Sequence, residues 1–338
     1  MKGYRIIFTE PGRAELQEFE VRDPGDNEVQ VKVQYNLISA GTEKAYLSGS
    51  PNTGHKFPTN PGYSSVGVVT KKGKDVKSFE VGDRVFVAYG GHASYNVKKA
   101  SSVVKIPDGV KFEDAVFTRL ASFPLLALRR ARVEMGESVV VVGLGMLGLF
   151  GVQLAKIAGG LPVIAVGNRD IRKQKARESG ADFVYSPDDV DLAEKIIANT
   201  KISGNGGADV VLETSGSIDG LLSSLKYTAK WGRVMVNGCN RITDKPIDLY
   251  RYVHLKGVSI IGAHDFTRYP YNSAPGNWTA KRDYMTLLGY MQDGRLKPSI
   301  LEPQFVSPAD TTQVYDRLLN DRQFPLGVVF DWTGYWNK

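Results

Sequence analysis

The stretch that most constrains this chain is Ser138-Val-Val-Val-Val-Gly143-Leu-Gly145-Met-Leu-Gly148-Leu149. An unbroken run of valines reads as a strand buried on both faces, because a half-exposed strand alternates. Apolar positions then continue at Leu149, Phe150, Val152, Leu154, Ala155 and Ile157, as in a helix packed on a sheet. Between them stand three glycines in the spacing G-x-G-x-x-G. Strand, glycine turn and helix in this order build a dinucleotide site. Gly143 allows the tight turn, Gly145 leaves no side chain to block a pyrophosphate, and Gly148 lets helix and strand approach closely. Met146 and Leu147 open the helix, whose N–H groups and positive dipole end suit a phosphate. Taken alone, the spacing also fits an ordinary strand-to-helix turn.

The context narrows that choice. A second strand follows at Pro162-Val-Ile-Ala-Val166, and further ones at Ala208–Glu213, Arg233–Asn237 and Val258–Gly262, with helical stretches between them. This alternation predicts an α/β fold with a doubly wound parallel sheet. The loops that leave those strands supply further cofactor candidates: Thr214 and Ser215, Asn237 and Gly238, Gly262 and Ala263. An NAD site usually carries Asp or Glu at the end of the second strand to grip the ribose hydroxyls. Here Gly167, Asn168 and Arg169 follow Val166, with Arg172 and Lys173 one turn on. Gly167 removes the repelling carboxylate, Asn168 donates a hydrogen bond, and Arg169 suits adenine or a 2′-phosphate. The expected cofactor is therefore NADP(H). A solvated basic turn is the alternative.

At 338 residues with 42% hydrophobic content, the chain is long enough for two domains with sizeable cores. No apolar run spans a membrane, and the N-terminus enters a strand without a signal-peptide pattern, so the expected compartment is the cytoplasm. The net charge of +7 raises nucleic acid as a partner, but the basic residues are dispersed and no Lys/Arg run interleaves with aromatics. An anionic cofactor or substrate accounts for part of the charge. Cys239 is the only cysteine, which excludes an internal disulfide and a cysteine-based structural zinc site.

Residues 1 to about 115 are rich in β-branched residues and Gly-Asp turns, as in a strongly bent β domain. Glu28-Val-Gln-Val-Lys-Val, Gly41-Thr42-Glu43, Pro61-Gly62, Gly67-Val-Val, Val81-Gly-Asp-Arg-Val, Ile106-Pro-Asp-Gly, Val140-Val-Val-Gly-Leu-Gly and Gly180-Ala-Asp occur in one order along the chain. In this the sequence resembles the medium-chain dehydrogenase/reductase superfamily over essentially its whole length. Ser39-Ala-Gly-Thr-Glu43 and Pro61-Gly-Tyr-Ser-Ser65 look like a branch near the bacteriochlorophyllide dehydrogenase-like proteins. The resemblance implies a GroES-like β-rich catalytic domain, residues 1–118 and 283–338, interrupted by a Rossmann domain, residues 119–282. Gly167-Asn168-Arg169 is similar to the Gly-Ser-Arg of NADP-dependent members, and the superfamily suggests a homodimer or homotetramer.

The departures from that family bear on the chemistry. Zinc members carry Cys-Gly-(Thr/Ser)-Asp where this chain has Ala40-Gly41-Thr42-Glu43, and Gly-His-Glu where it has Gly62-Tyr63-Ser64. Arg119 aligns near the third ligand position, and the four-cysteine lobe is missing. A catalytic zinc needs three N, S or carboxylate donors, so no zinc is expected. Tyr63 and Arg119 would then take the vacated site. Arg119 would stabilise charge developing on oxygen, and Tyr63 would carry the proton, its pKa lowered by the nearby cation. Thr42 and Glu43 would orient substrate or relay the proton. The alternative is that Arg119 pairs structurally with Glu43 while Tyr63 only packs. Glu43 also fits a local backbone cap, and His92, after two glycines, fits either a loop or strand position or a substrate contact. His55 and His254 read as surface or packing residues, and Tyr95 as a strand residue.

His264-Asp-Phe-Thr-Arg-Tyr-Pro-Tyr-Asn-Ser-Ala-Pro-Gly-Asn-Trp-Thr-Ala-Lys281 follows the last strand of the Rossmann pattern, at the sheet edge where ligands bind. Its aromatics and polar groups suit a hydroxylated ring. Gly262 and Ala263 should pass the nicotinamide carboxamide. His264 and Asp265 would then begin beside the reacting centre, with Arg268 as a polar anchor and Trp278 as a platform. A dimer contact is the alternative for this segment. The function expected is a zinc-independent, NADP-linked oxidoreductase that moves hydride between nicotinamide and a carbonyl or secondary alcohol of a polyol, sugar or cyclitol. Quinone or enone C=C reduction, and cofactor binding without turnover, are the rival readings. Neither a membrane nor a nucleic acid is expected as a partner.

Overall fold

A computed structural model describes all residues except 54, 55, 201–203, 205, 271, 337 and 338. His55 and Tyr271 thus lie outside the described residues. Two compact units form, one from Met1–Leu120 with Tyr284–Lys338 and one from Ala121–Asp283.

The first unit opens with β1 (Lys2–Glu10), β2 (Arg13–Glu20) and β3 (Glu28–Leu37), then α1 (Ala40–Leu47) and β4 (Ser64–Lys72). There follow β5 (Arg84–Ala88), β6 (Tyr95–Lys99), β7 (Val103–Lys105), the short α2 (Phe112–Ala115) and the start of α3 (Thr118–Ala131). After the second unit the chain returns as β14 (Gln304–Val306), α9 (Thr311–Asn320) and β15 (Val328–Asp331), preceded by α8 (Ala280–Gln292). β1 and β2 form a hairpin, while the main sheet runs β14-β15-β3-β4-β5-β7, with β6 also on β3. β15 lies antiparallel to β3, which ties the C-terminal segment to the N-terminal one. Val29 and Val31 of β3 and the valines of β5 face a core with Val69, Phe79 and Val103, while Val33 joins Phe8, Tyr315, Phe330 and Trp332 in a second. Burying each such side chain contributes roughly 1.5–3 kcal/mol. The two chain ends are also joined by polar groups. Trp332 Nε1 donates to Asn36 Oδ1 at 2.5 Å, and Asn36 Nδ2 donates to Ser65 Oγ at 2.5 Å, all in the interior.

The second unit holds β8 (Val139–Val142), α4 (Met146–Ile157), β9 (Val163–Val166), α5 (Asp170–Glu178), β10 (Phe183–Tyr185) and α6 (Leu192–Asn199). It continues with β11 (Ala208–Glu213), α7 (Ile218–Tyr227), β12 (Thr228–Val236) and β13 (Ser259–Gly262). The sheet order is β10-β9-β8-β11-β12-β13, with every pair parallel, which is the Rossmann arrangement. β8, read from its valines as doubly buried, is at most 5% exposed along its length. β12 begins earlier than its apolar run. Its first half contains Trp231 at φ 62, and its register on β11 shifts there. No apolar periodicity announces this start, since Lys230 and Trp231 face solvent. Among the described residues no helix is long and apolar enough to cross a membrane.

Candidate functional site

In the second unit the loops at the C-terminal ends of β8, β11 and β12 interlock. Gly143 takes φ +92, and a Cβ there would sit 2.6 Å from the backbone N of Ser215. A Cβ on Gly148 would lie 1.8 Å from the carbonyl oxygen of Gly143, so helix and turn touch backbone to backbone. Gly145, the N-cap of α4, is different: a Cβ there meets nothing within 4 Å. Packing within the protein does not require glycine at 145, whereas a ligand laid across the helix N-terminus would. Met146 and Leu147 follow as the first turn of α4. Thr214 Oγ1 donates to the carbonyls of Val142 and Gly143 at 2.9 and 2.7 Å, which clamps the turn. Ser215 donates its N–H to Glu213 Oε1 at 2.8 Å and its hydroxyl to the same oxygen. Glu213 is fully buried, and burial raises its pKa. It escaped the sequence reading because it closes a strand dominated by the apolar Val210, Val211 and Leu212. Asn237 Nδ2 donates to the carbonyl of Ala263 at 3.1 Å, Gly238 packs on Gly216, and Gly262 is open to solvent.

At the end of β9, Gly167 packs on Leu144, where a Cβ would come within 2.6 Å of its side chain. Asn168 is exposed, Arg169 is the N-cap of α5, and Lys173 pairs with Asp170 at 2.7 Å. The Arg172 guanidinium is lowered to about 10, first by burial and then by the charge of Arg169. The side chains of Arg169 and Arg172 form no ion pair or hydrogen bond among the described residues. Two adjacent cations without a carboxylate are an arrangement that an anion would relieve.

In the first unit, the N-terminus of α1 and the turn before β4 meet. Tyr63 donates its hydroxyl to Ser39 Oγ, with Thr42 beside it. The expected lowering of its pKa is corrected here. Burial pushes Tyr63 up to about 12, and the hydrogen bonds and the Arg119 charge only partly offset it. Arg119, 3% exposed, lies among three tyrosines. It donates to Tyr284 Oη at 2.8 Å and to Tyr89 Oη at 2.7 Å, and its Cζ is 5.6 Å from the centroid of the Tyr63 ring. Glu43 is buried, and its carboxylate is directed at Ser39, His92 and Tyr315. It accepts the Ser39 N–H at 2.8 Å, the Tyr315 hydroxyl at 2.6 Å and His92 Nε2 at 3.1 Å. The cap reading of Glu43 therefore holds, together with a pairing to His92 that linear sequence does not reveal. His92 is fully buried, which places it in the core and not on a substrate surface.

The 264–281 segment is held from within the second unit. His264 caps a short 3-10 turn by accepting the Phe266 N–H on Nδ1 at 3.3 Å. Arg268 was expected to meet substrate, but its guanidinium is taken up on every arm. Nε donates to Asp265 at 2.6 Å, Nη1 pairs with Asp283, and Nη2 donates to the Ser122 carbonyl at 2.7 Å. Asp265 is likewise engaged in that pair. Asp283 is fully buried and also pairs with Arg129, whose Cζ stands 4.0 Å from the centroid of Trp278. One face of Trp278 thus covers a guanidinium. His254 is exposed and stacks on Tyr250, and Tyr95 opens β6 as a strand residue.

The donor chemistry for a catalytic zinc is poor. Ala40 has no donor, Arg119 is a cation, and Glu43 and His92 are turned onto each other in the core. Among the described residues no group of three or more His, Cys, Asp or Glu could hold a metal. For a dinucleotide the fit is good: an open glycine at the helix N-terminus, a clamped turn, and beyond β9 two guanidinium groups without a partner among the described residues.

Residues 25–108 match the alcohol dehydrogenase GroES-like domain family, and residues 147–274 match the zinc-binding dehydrogenase family. D-guloside 3-dehydrogenase of Escherichia coli K12 is 29% identical over 354 residues, covering 96% of this chain and 99% of the relative. An alcohol dehydrogenase of Geobacillus stearothermophilus is 30% identical over 295 residues, covering 78% and 80%. Among solved structures, an Escherichia coli oxidoreductase/dehydrogenase of unknown specificity superposes with a TM-score of 0.84 at 20% identity, covering 98% of this chain and 99% of that one. With its GroES-like sheet, its Rossmann sheet and these relatives, the chain belongs to the medium-chain dehydrogenase/reductase superfamily and is an oxidoreductase of that type.

Proposed function

We propose that this oxidoreductase uses NADP(H), works without zinc, and interconverts a carbonyl and a secondary alcohol on a sugar, polyol or cyclitol. The observation that carries the cofactor choice is the Arg169–Arg172 pair, two guanidinium groups with no carboxylate partner among the described residues. The turn Gly143–Gly148 and the N-terminus of α4 would hold the pyrophosphate. Thr214 and Ser215 would keep that turn in place, with Gly262 and Ala263 beside the carboxamide. NADP(H) supplies or accepts the hydride. The sugar-class substrate is supported by the guloside dehydrogenase relative, whose similarity runs along nearly the whole chain.

Tyr63 is the proton carrier in this reading. In reduction, its hydroxyl gives a proton to the oxygen that becomes the alcohol, and Ser39 Oγ, already its hydrogen-bond partner, is placed to pass one back. Arg119 stabilises the phenolate that is left. A phenol held at about 12 remains a competent acid toward an alkoxide, which is far more basic. The sign of the pH dependence follows. Reduction needs the protonated form and should be flat from about pH 6 to 10. Oxidation needs the phenolate, so its kcat should rise about tenfold per pH unit over that range.

The test is a panel of sugars, polyols, ketoses and enones followed at the nicotinamide absorbance, with metal analysis of the purified protein. Stoichiometric zinc, or activity lost to a chelator and restored by Zn²⁺, would end the metal-free reading. Turnover of enones alone would move the activity to C=C reduction. A homo-oligomer is supported by β13, which has no strand on its outer edge among the described residues and carries the exposed Ile260. Light scattering in solution reads this directly.

A further inference from the structure

We infer that Glu43 and His92 are a buried positioning pair that fixes the Tyr63 hydroxyl from two directions; this rests on Tyr63 being the proton carrier. The first direction runs through α1. Glu43 Oε1 holds the backbone N–H of Ser39 at 2.8 Å, and Ser39 Oγ receives the Tyr63 hydroxyl. The second runs through the turn before β4. His92 donates its backbone N–H to the Pro61 carbonyl at 2.8 Å, and its ring lies against Gly62. Gly62 adopts φ +96, and a Cβ there would fall 2.8 Å from His92 Nδ1 and 2.9 Å from two ring carbons. The imidazole is therefore the floor on which Gly62 and Tyr63 rest. Its rotation is set by Nε2, which faces Glu43 Oε2 at 3.1 Å. One carboxylate thus anchors both supports of the same hydroxyl.

The surroundings leave little freedom. The His92 ring meets Phe330 edge-on at 5.3 Å, Tyr315 donates to Glu43 at 2.6 Å, and Phe8 packs edge-on to Tyr315 at 4.9 Å. The hydrogen-bond inventory assigns the tautomer. The Ser39 N–H can only donate, and the Tyr315 hydroxyl has Glu43 as its acceptor, so Glu43 acts as an acceptor throughout. We assign the His92 proton to Nε2, where it donates to Glu43 Oε2 and completes that set of donors. Its Nδ1 has no partner among the described residues, and a bare lone pair there is less costly than a buried orphan N–H. Position 92 thus calls for a donor aimed at Glu43 on a ring flat enough to sit under Gly62. A Phe or Tyr would fill the volume without orienting it.

The experiment is a double-mutant cycle. In an otherwise native chain, His92→Leu should lower kcat on the order of 10²-fold, the usual cost of misplacing a reacting group by about an ångström. KM and the NADPH Kd should change by less than about threefold. His92→Gln, which can place an amide donor near Nε2, should recover most of that loss. In a Tyr63→Phe background, His92→Leu should change kcat by less than about threefold. An equal loss in both backgrounds would show a general structural role and overturn the inference, as would unchanged kcat in His92→Leu. If Tyr63→Phe alone retains full kcat while the wild type turns over, the Tyr63 assignment fails and the inference with it, although the oxidoreductase reading stands. Should the His92 variants not fold, the imidazole ¹⁵N shifts of wild-type His92 still decide. Protonation on Nε2 supports the pair, and protonation on Nδ1 overturns it.

Discussion

Replacing Arg172 with Met should move two measurable quantities in opposite directions. The Met side chain keeps the buried stem and removes the charge. In the ligand-free protein, burial and the neighbouring Arg169 bring Arg172 from 12.5 to about 10. One pKa unit corresponds to ~1.4 kcal/mol, so the face value is ~3 kcal/mol. Allowing for solvent screening of a partly exposed group leaves about 1 kcal/mol. A cation with a depressed pKa is penalised at every pH below about 10, and the penalty fades as pH rises from 10 toward 12.5. At pH 7 the Met variant should therefore unfold at the wild-type Tm or slightly above it. Cofactor binding should go the other way. A charge-assisted hydrogen bond to the 2′-phosphate is worth roughly 1.5–3 kcal/mol, so NADPH Kd should weaken about 10- to 150-fold, and NADH Kd less than about threefold. The preference for NADPH should also grow as pH rises through about 6, where a phosphate monoester loses its second proton. Fluorescence titrations with both cofactors and thermal unfolding without ligand read all of this. Equal weakening of NADPH and NADH, or a variant that melts several degrees lower, would show that Arg172 is a structural residue and refute the reasoning.

Two further substitutions test the packing. Gly145→Ala should leave unfolding free energy within about 0.5 kcal/mol of wild type, since nothing lies near its Cβ, yet weaken NADPH binding at least tenfold. Gly148→Ala should cost about 1–3 kcal/mol because its Cβ would collide with the Gly143 carbonyl, so chemical denaturation that separates the two variants checks the division of labour. Asp283→Ala removes the carboxylate shared by Arg129 and Arg268 and should destabilise by about 3–5 kcal/mol in urea unfolding; a loss below about 1 kcal/mol would show that the cluster does not hold the 264–281 segment.

Short-range pattern was enough for the Rossmann sheet and its turn. A run of valines reads as a doubly buried strand, and the left-handed turn at Gly143 and the contact of Gly148 with the Gly143 carbonyl are backbone demands made within a few residues. The same holds for Ala208–Glu213, whose strand bounds match its apolar run, and for the absence of a carboxylate after Val166. The start of β12 was not legible, because the exposed Lys230 and Trp231 separate its buried first residues, Thr228 and Ala229, from the apolar run. The site chemistry in the first unit was legible by residue type and not by state. Tyr63 and Arg119 were visible as a phenol and a cation, and a nearby cation implies a lowered pKa. Desolvation depends on what covers the hydroxyl, and the tertiary structure shows that term to be the larger. Arg268 and Trp278 stand in a polar, aromatic stretch that reads as a binding surface, yet Asp283 pairs with Arg268, and Arg129, distant in sequence, lies against the Trp278 ring. Glu43 and His92 are 49 residues apart, one on α1 and the other between β5 and β6, and meet only in the folded chain. The sequence by itself determined the fold class, the cofactor turn and the residues available for chemistry, since these follow from local periodicity and backbone sterics. Only the tertiary structure decided which charges pair and which stay open, because electrostatic partners and desolvation are set by distance in space.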